Sequence, residues 1–420
     1  MSKILIWTPK KSPRLEYTLH IMLENILGVP FLITENIEEY KACSGPRFCY
    51  SPEEPPIENN LWIQAHPLLF EENLVAQTIE PTPWKEYTLF FPTEQGVFPV
   101  DPLAISFYLL TRYEEYINKA SQDQHGRFKV SDSVSYRFGW HRKPMVNILS
   151  LALADKIKGY FPDFQTITLP YQPLTTFDVD IAYLYRGRRG FRLLGAMAKS
   201  FIFFRFHHGI KQIRGMLNLP VQDPFDRFEL HRQLAAAEEH KPVHFVLTAP
   251  FSRYDRNIDP DSRAFKQLLD QLSSFSDIGI HPSYHSSEKT ELIRKEKQKL
   301  EQRWGNLITK SRQHFLKVRF PSTFEALIDA GIKEDYSLGW PNEVGFRTGT
   351  TIPIPFFNLD LNQSRDLLLV PLHVMDGALF QLYDSKAECL QAIEEIRSEV
   401  KKYGGTLVIL YHSNAEKHLF

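Results

Sequence analysis

The second half of the chain alternates short apolar runs with amphipathic helical segments, a rhythm typical of βα units around a parallel sheet. In the clearest helical segment, Ser262–Phe275, apolar residues recur every three or four positions and form one continuous stripe. The predicted strands are Thr175–Val179, Val243–Leu247, Asp277–Ile280, Ser311–Leu316, Tyr336–Leu338, Leu367–Leu372 and Leu407–Tyr411. About seven strands in about 250 residues favour an irregular (β/α)7 barrel, with an open α/β sheet as the alternative.

The first half has a mixed α/β pattern without this rhythm. One predicted helix ends at Gly28, and Asp101 is the predicted N-cap of another. Residues 161–173 contain three prolines and show no helical periodicity. A chain of 420 residues has the length of two domains. We therefore predict an N-terminal α/β domain at residues 1–165 and the barrel at residues 170–420.

The charge balance argues against nucleic acid as a partner. Lysine and arginine total 49 and aspartate and glutamate 50, so the formal net charge is −1. The three cysteines, Cys43, Cys49 and Cys389, lack the CxxC spacing of a cysteine metal site. The N-terminus lacks the apolar run of a secretory signal, and no apolar run reaches the ~18–20 residues of a membrane span. We expect a cytoplasmic protein.

Polar residues follow the predicted strands at the end where parallel barrels carry their sites. Asp178 and Asp180, in TTFDVD, lie two residues apart on extended backbone and point to one face. Adjacent carboxylates repel each other unless a cation or proton separates them, although a solvated turn is the alternative. His281 and His285, in GIHPSYH, are spaced by one helical turn if Pro282 begins a helix. One carboxylate and two imidazoles would form a metal site with positions open for water and substrate.

The last predicted strand ends in LVILYHSN and places His412 at the same mouth. A histidine at this position is a candidate general acid. The alternative is a histidine that only packs near the C-terminus.

In this order, TTFDVD, GIHPSYH and LVILYHSN resemble the first, second and last motifs of the polysaccharide deacetylases, the NodB-homology family, over roughly residues 170–420. The resemblance implies an irregular barrel and a single divalent metal ion, usually zinc, with cobalt or iron as alternatives. It implies these roles: the catalytic base Asp178, the metal ligands Asp180, His281 and His285, and the general acid His412.

Two motifs of that family have no direct counterpart here. For its arginine motif, R-x-P, the candidates are Arg312 in SRQHF and Arg319 in RFP, and Arg312 is preferred because it follows a helix and begins a weak strand. For its aspartate-containing fourth motif, the candidates are Asp335 in DYSLGW and Asp376 in PLHVMDG. We take Arg312 and Asp376 as the candidates that orient the base and the acid.

The N-terminal half carries a resemblance of its own. The segment FPVDPLAISFYLLTRYEEYINKASQDQHGRF resembles a domain of unknown function that is fused to such barrels in bacterial, notably Bacteroidetes-type, proteins. It supports the predicted boundary and implies no role for the first half.

The implied reaction is removal of an acetyl group, N- or O-linked, from a carbohydrate or a sugar carrier. A divalent ion lowers the pKa of bound water from 15.7 toward roughly 7, and Asp178 would take the proton of that water. A backbone N–H near Tyr284 is expected to help hold the oxyanion, while His412 protonates the leaving group. The alternatives are a non-catalytic carbohydrate-binding relative and another mononuclear metal amidase or esterase.

Residues 181–222 contain eight lysines and arginines, no acidic residue and many interleaved apolar residues. This pattern predicts either a helical pair with a basic rim or a surface that contacts anionic headgroups or a phosphate-bearing sugar carrier. The expected partner is therefore an acetylated carbohydrate, either free or phosphate- or lipid-linked. Peripheral contact with the inner membrane through residues 181–222 is an alternative to a wholly cytoplasmic location.

Overall fold

The computed structural model describes residues 3–57, 60–187, 210–211, 213–215, 219, 221–236 and 240–413. Within them the strands are β1 Ile4–Trp7, β2 Phe31–Thr34, β3 Arg47–Ser51, β4 Trp62–Gln64, β5 Thr82–Trp84, β6 Tyr87–Leu89, β7 Tyr171–Val179, β8 Val243–Val246, β9 Asp277–Ile280, β10 Lys310–Ser311, β11 Glu334–Asp335, β12 Ile354–Asn358, β13 Gln363–Leu369, β14 Val374–Met375 and β15 Gly405–His412.

The α-helices of the same residues are α1 Pro13–Leu19, α2 Ile37–Ala42, α3 Pro102–Leu110, α4 Tyr113–Ile117, α5 Val134–Arg137, α6 Met145–Tyr160, α7 Phe228–Ala235, α8 Arg263–Ser273, α9 Glu291–Trp304, α10 Ser322–Asp329, α11 Asp376–Leu382 and α12 Lys386–Tyr403. A π-helical stretch, His20–Ile26, continues α1, and a 3₁₀ turn at His314–Leu316 follows β10. None of these described helices is both long enough and apolar enough to cross a membrane.

The chain divides into two compact units. The first comprises Met1–Gln172, Leu338–His373 and Ala392–Leu407, and the second comprises Pro173–Ser337, Val374–Gln391 and Val408–Phe420. The first unit thus includes Leu338–His373 and Ala392–Leu407, which the predicted boundary assigned to the barrel at residues 170–420. The contiguous division at residues 165–170 stays a prediction.

A parallel four-stranded sheet in the order β2-β1-β3-β4 lies at the centre of the first unit. Helix α3 is buried on all sides, which fits its uniformly apolar sequence, and it packs against α1 and α6. As predicted, Asp101 caps α3 by accepting hydrogen bonds from the N–H groups of Leu103 and Ala104. Arg112, whose backbone is left-handed, interrupts the helical run between α3 and α4.

That interruption coincides with a buried ion-pair network of the first unit. The Arg112 guanidinium donates to the carboxylates of Glu114 (2.7 Å) and Glu115 (2.8 Å). Arg347 pairs with Glu115 at 2.6 Å, and both guanidiniums lie just over 5 Å from the ring of Trp340. Each buried charge has an opposite partner, as burial requires.

In the second unit the strand order is β11-β10-β9-β8-β7-β15-β14. The registers pair Asp178 with Phe245, Val246 with Ile280, and Ile280 with Ser311, all in parallel. Parallel pairing brings the carboxyl ends of β7, β9 and β10 to the same edge. A mixed α/β fold is thus confirmed, whereas closure into a (β/α)7 barrel stays a prediction.

Three predicted strands of the barrel have other bounds in the structure. Strand β10 occupies Lys310–Ser311 instead of Ser311–Leu316, and the end of that run is a 3₁₀ turn. Of the run Leu367–Leu372, residues 367–369 belong to β13, which pairs antiparallel with β12 in the first unit. The connecting turn explains this pairing, because the Asn358 side chain accepts from two N–H groups of the loop and Asn362 is left-handed. The strand predicted at Tyr336–Leu338 lies earlier in the chain, as β11 at Glu334–Asp335.

Candidate metal centre

Asp178 and Asp180 lie at the carboxyl end of β7, as predicted. Asp178 is almost fully buried, whereas the Asp180 side chain keeps a fifth of its surface exposed. The side chain of Asn257 fixes the backbone that follows by donating to the Val179 carbonyl and accepting from the Ala182 N–H. The two carboxylates therefore face the strand edge on a well-anchored turn.

His281 follows β9 and is fully buried. Its Nδ1 lies 2.5 Å from the Arg312 carbonyl oxygen, and because a carbonyl only accepts, Nδ1 must carry the proton. In the neutral ring Nε2 then presents a lone pair, 3.2 Å from Asp180 Oδ1 and 3.6 Å from Asp178 Oδ2. Within the described part of the chain neither His281 Nε2 nor Asp180 Oδ1 has a hydrogen-bond partner.

His314 is the third member of this group, and the sequence analysis did not identify it. Its Nε2 lies 3.6 Å from Asp180 Oδ1, and its Nδ1 lies 2.8 Å from Asp255 Oδ1. Asp255 in turn accepts hydrogen bonds from the Tyr284 N–H (3.0 Å) and the Ser252 hydroxyl (2.8 Å). A carboxylate behind a histidine in this way is the usual device that orients a metal-binding imidazole.

The donor atoms of Asp180, His281 and His314 all lie within 4.8 Å of one another, so these three residues could hold a metal ion. We call them the metal centre. Burying a carboxylate oxygen against an imidazole lone pair is unfavourable unless a cation lies between them. One oxygen and two nitrogen ligands with further positions open suit zinc, and also cobalt or iron.

The groups of the metal centre perturb one another's pKa values. Burial would raise the pKa of Asp180, but the imidazoles of His314 and His281 outweigh it and hold that pKa well below its usual range. Burial would lower the pKa of His314, but Asp180 and Asp255 raise it to about 9. The Asp180 carboxylate and the His314 imidazole thus each favour the charged form of the other.

His285, the predicted third ligand, lies outside this group. Its side chain is 48% exposed, and its Nδ1 lies 3.6 Å from Glu288. The prediction assumed a helix starting at Pro282, which would put His281 and His285 on one face. The residues from 281 to 290 instead form turns, and α9 begins only at Glu291, so the spacing of four does not bring the two rings together.

Arg312 contacts the candidate base Asp178 directly. Its guanidinium is fully buried and donates to Asp178 Oδ1 at 3.0 Å, to the Thr176 hydroxyl at 2.9 Å and to the Tyr336 carbonyl at 3.0 Å. The same guanidinium lies 4.5 Å from the ring centre of Phe245. These contacts fix the position of the Asp178 carboxylate.

Asp376 and His412 form a second pair on the opposite side of Asp180. His412 Nδ1 lies 2.6 Å from Asp376 Oδ1, and the His412 backbone N–H donates to Asp376 Oδ2 at 2.7 Å. The other ring nitrogen lies 4.0 Å from Asp180 Oδ2. Burial would lower the pKa of His412, but Asp376, with Asp180 and Asp178 behind it, raises that pKa to about 10. The imidazole is therefore protonated at neutral pH, as a proton donor must be.

The remaining candidates have other partners. Arg319 is exposed and pairs with Glu288 at 3.2 Å. Asp335 is buried and accepts hydrogen bonds from Ser311 and Ser337. The Tyr284 N–H, expected near the oxyanion, donates to Asp255.

Most of the basic segment at residues 181–222 lies outside the described residues, including Arg188, Arg189, Arg192, Lys199 and Arg205. Of its described part, Arg186 pairs with Asp226 and lies 4.1 Å from the ring centre of Tyr183. The Asp223 carboxylate accepts hydrogen bonds from the N–H groups of Leu184 and Tyr185. These contacts anchor the start of the segment to the second unit.

Comparisons with known proteins add limited information. Residues 4–162 match a family of unknown function, DUF7033. No curated protein matches the chain. A protein from Mycobacterium smegmatis assigned as a polysaccharide deacetylase is similar with a TM-score of 0.37 and 16% identity, over 59% of this chain and 78% of its own. The polysaccharide deacetylase Bc1974 from Bacillus cereus has a TM-score of 0.22 and 12% identity, over 58% of this chain and 94% of its own. Both likenesses are weak, and function is therefore inferred from the side chains themselves.

Proposed function

We propose that the protein is a metal-dependent hydrolase that removes an acetyl group from a carbohydrate. The observation that carries the proposal is the metal centre of Asp180, His281 and His314, with Asp178 Oδ2 3.6 Å from His281 Nε2 and His412 Nε2 4.0 Å from Asp180 Oδ2. The sequence motifs around Asp178, His281 and His412, which resemble those of the polysaccharide deacetylases, support the choice of an acetyl group and a sugar.

A divalent ion held by the metal centre would supply Lewis-acid chemistry, which polarises an acyl oxygen and acidifies water. The ligands that would hold the ion are the Asp180 carboxylate and the imidazoles of His281 and His314. Zinc is the ion that this donor set favours, with cobalt or iron as alternatives.

Asp178 is the proposed general base. Its Oδ1 is occupied by the Arg312 guanidinium, and its Oδ2 faces the metal centre, 3.6 Å from His281 Nε2. The guanidinium donates to Oδ1 and restricts rotation of the carboxylate, so Oδ2 can accept a proton from the attacking water.

His412 is the proposed general acid. The Asp376 carboxylate accepts from Nδ1 and so leaves Nε2 as the nitrogen that faces Asp180. A proton on Nε2 can pass to the departing amine or alkoxide, which is a poor leaving group without it. Amide and ester substrates pass through the same tetrahedral stage, so both N-acetyl and O-acetyl sugars belong in the test.

The test combines metal content with acetate release. The protein is stripped with a chelator, reloaded with zinc, cobalt or iron(II), and incubated with N-acetylated sugars, O-acetylated sugars, sugar nucleotides and lipid-linked sugars. We expect acetate release by the loaded protein only. Asp178→Asn should keep the metal and lose about 10²–10⁴-fold in turnover.

A matched control is Asp277→Asn, which removes a carboxylate of the same sheet that pairs with Lys310 away from the metal centre. Its turnover should equal that of the wild type. Full metal occupancy without acetate release from any of these substrates would overturn the proposal.

A further inference from the structure

Three aromatic rings gather beside the metal ligand His314. Tyr254 and Tyr284 stack with ring centres 3.9 Å apart and planes 21° from parallel. Phe315 meets both rings edge-on, at 5.8 Å from Tyr254 and 5.1 Å from Tyr284, and lies 4.8 Å from the His314 ring. We call Tyr254, Tyr284 and Phe315 the aromatic rim.

The aromatic rim is held in a defined position. The Tyr284 N–H donates to Asp255, which also supports His314. The ammonium of Lys317 lies 4.1 Å from the centre of the Tyr284 ring. Phe315 has a φ of +63°, a left-handed conformation that is unfavourable for a bulky residue and persists only where the surroundings impose it.

Part of the aromatic rim reaches solvent. Tyr284 is buried, but Tyr254 and Phe315 are partly exposed, and Phe251 on the same loop is 55% exposed. His285 lies at the edge of the aromatic rim, with its ring centre 5.1 Å from that of Tyr284 and its side chain half exposed. An aromatic surface with a polar edge thus adjoins the metal centre.

We propose that the aromatic rim binds the pyranose ring of the acetylated substrate, which rests on the proposed function. One face of a pyranose presents C–H groups of slightly positive character, and aromatic faces carry negative charge density that attracts them. The sugar ring would stack on Tyr254, whereas Phe315, whose plane is 82° from that of Tyr254, would contact the sugar at its edge. The His285 imidazole would hydrogen-bond to a hydroxyl group. In this arrangement His285, which the sequence indicated as a metal ligand, contacts the substrate instead.

The test measures sugar binding separately from turnover. The trimer of N-acetylglucosamine and an acetylated xylotriose are titrated calorimetrically into metal-free and zinc-loaded protein. Tyr254→Ala should weaken binding by about 3- to 10-fold, the size of one aromatic contact, whereas Tyr254→Phe keeps the ring and should bind nearly as the wild type does. Phe315→Asn tests a second ring with a residue that tolerates the left-handed backbone.

Two controls accompany these variants. Tyr160→Ala removes an exposed tyrosine of the first unit and should not change the dissociation constant. Zinc content and thermal unfolding of Tyr254→Ala and Phe315→Asn should match the wild type, which separates loss of a sugar contact from damage to the metal centre.

The outcomes distinguish the two proposals. Binding of neither oligosaccharide, or equal dissociation constants for the wild type and both folded variants, would overturn the role of the aromatic rim without affecting acetate release. Binding that depends on Tyr254 and Phe315, with no acetate released by the zinc-loaded protein, would support the aromatic rim and overturn the hydrolase. A rise in KM with little change in kcat for both variants would support both proposals.

Discussion

Replacement of His314 by alanine provides the strongest test of the metal centre, because the sequence indicated His285 as the third ligand and the structure brings His314 to Asp180 instead. His314→Ala removes one of three donor atoms and leaves Asp255 without its imidazole partner. Asp255 keeps the hydrogen bonds from Tyr284 and Ser252, so the surrounding loop retains support. His314→Gln restores some of the lost bulk and serves as a second variant.

The expected loss follows from the number of ligands. Structural zinc sites with four ligands bind with about 10–16 kcal/mol, or roughly 3–4 kcal/mol per ligand. Removing one ligand should therefore raise the Kd for zinc by about 10²–10³-fold. Asp255→Asn leaves the ligand in place and weakens only its support, so an increase of about 10- to 100-fold is expected.

The assay is zinc competition against a chelator of known affinity, with thermal unfolding followed at several zinc concentrations. An ion bound to the folded state stabilises it by about 2.7 kcal/mol at 100 times the Kd, so His314→Ala should lose most of the zinc-dependent rise in Tm. His285→Ala is the matched control and should bind zinc as the wild type does. The reverse result, with affinity retained in His314→Ala and lost in His285→Ala, would refute the reasoning.

Three further predictions concern the pair Arg312–Asp178, the pair Asp376–His412 and a carboxylate of the first unit. Arg312→Met leaves Asp178 as a buried, unpaired charge and should lower the free energy of unfolding, measured by chemical denaturation, by about 3–5 kcal/mol. The double variant with Asp178→Asn should recover part of that loss. Asp376→Asn should lower kcat by about 10²-fold or more at unchanged zinc content, because His412 loses the carboxylate that orients its proton. Burial would raise the pKa of Glu343, but the His141 ring, the Val344 N–H and Arg142 lower it to about 2, below the unfolded value of about 4.3. The stability that this carboxylate contributes is therefore present above about pH 4.3 and is lost as the pH falls toward 2. In acid-unfolding curves, Glu343→Gln should reduce this pH dependence of stability. The control Glu395→Gln, which changes the exposed partner of Arg142, should leave it unchanged.

Elements with strong periodicity were predictable from the sequence. Strand β9 has the predicted bounds, and helix α8 lies within the predicted segment Ser262–Phe275, because a buried apolar run and a regular apolar stripe each permit one interpretation. Asp178, Asp180, His281 and His412 were recognisable because each follows such a strand. Their convergence required only that the strands run parallel in one sheet.

The third ligand was not predictable by the same reasoning. Whether His314 reaches Asp180 depends on the register between β9 and β10, where Ser311 is opposite Ile280, and β10 has only two residues. A weak signal existed in SRQHF, which contains Arg312 and His314. Alternate residues of an extended segment share a face, so assigning Arg312 to the site also indicated His314. Asp255 lies in the loop after β8, where no periodicity indicates which side chain points inward.

Residue 312 serves two groups through two different parts of one amino acid. Its carbonyl oxygen fixes the orientation of the His281 ring, and its guanidinium fixes the Asp178 carboxylate. A small displacement of the Arg312 peptide would therefore rotate the His281 ring and shift the Asp178 carboxylate together. In the proposed mechanism, retention of the ion and placement of the base therefore depend on the same main-chain position.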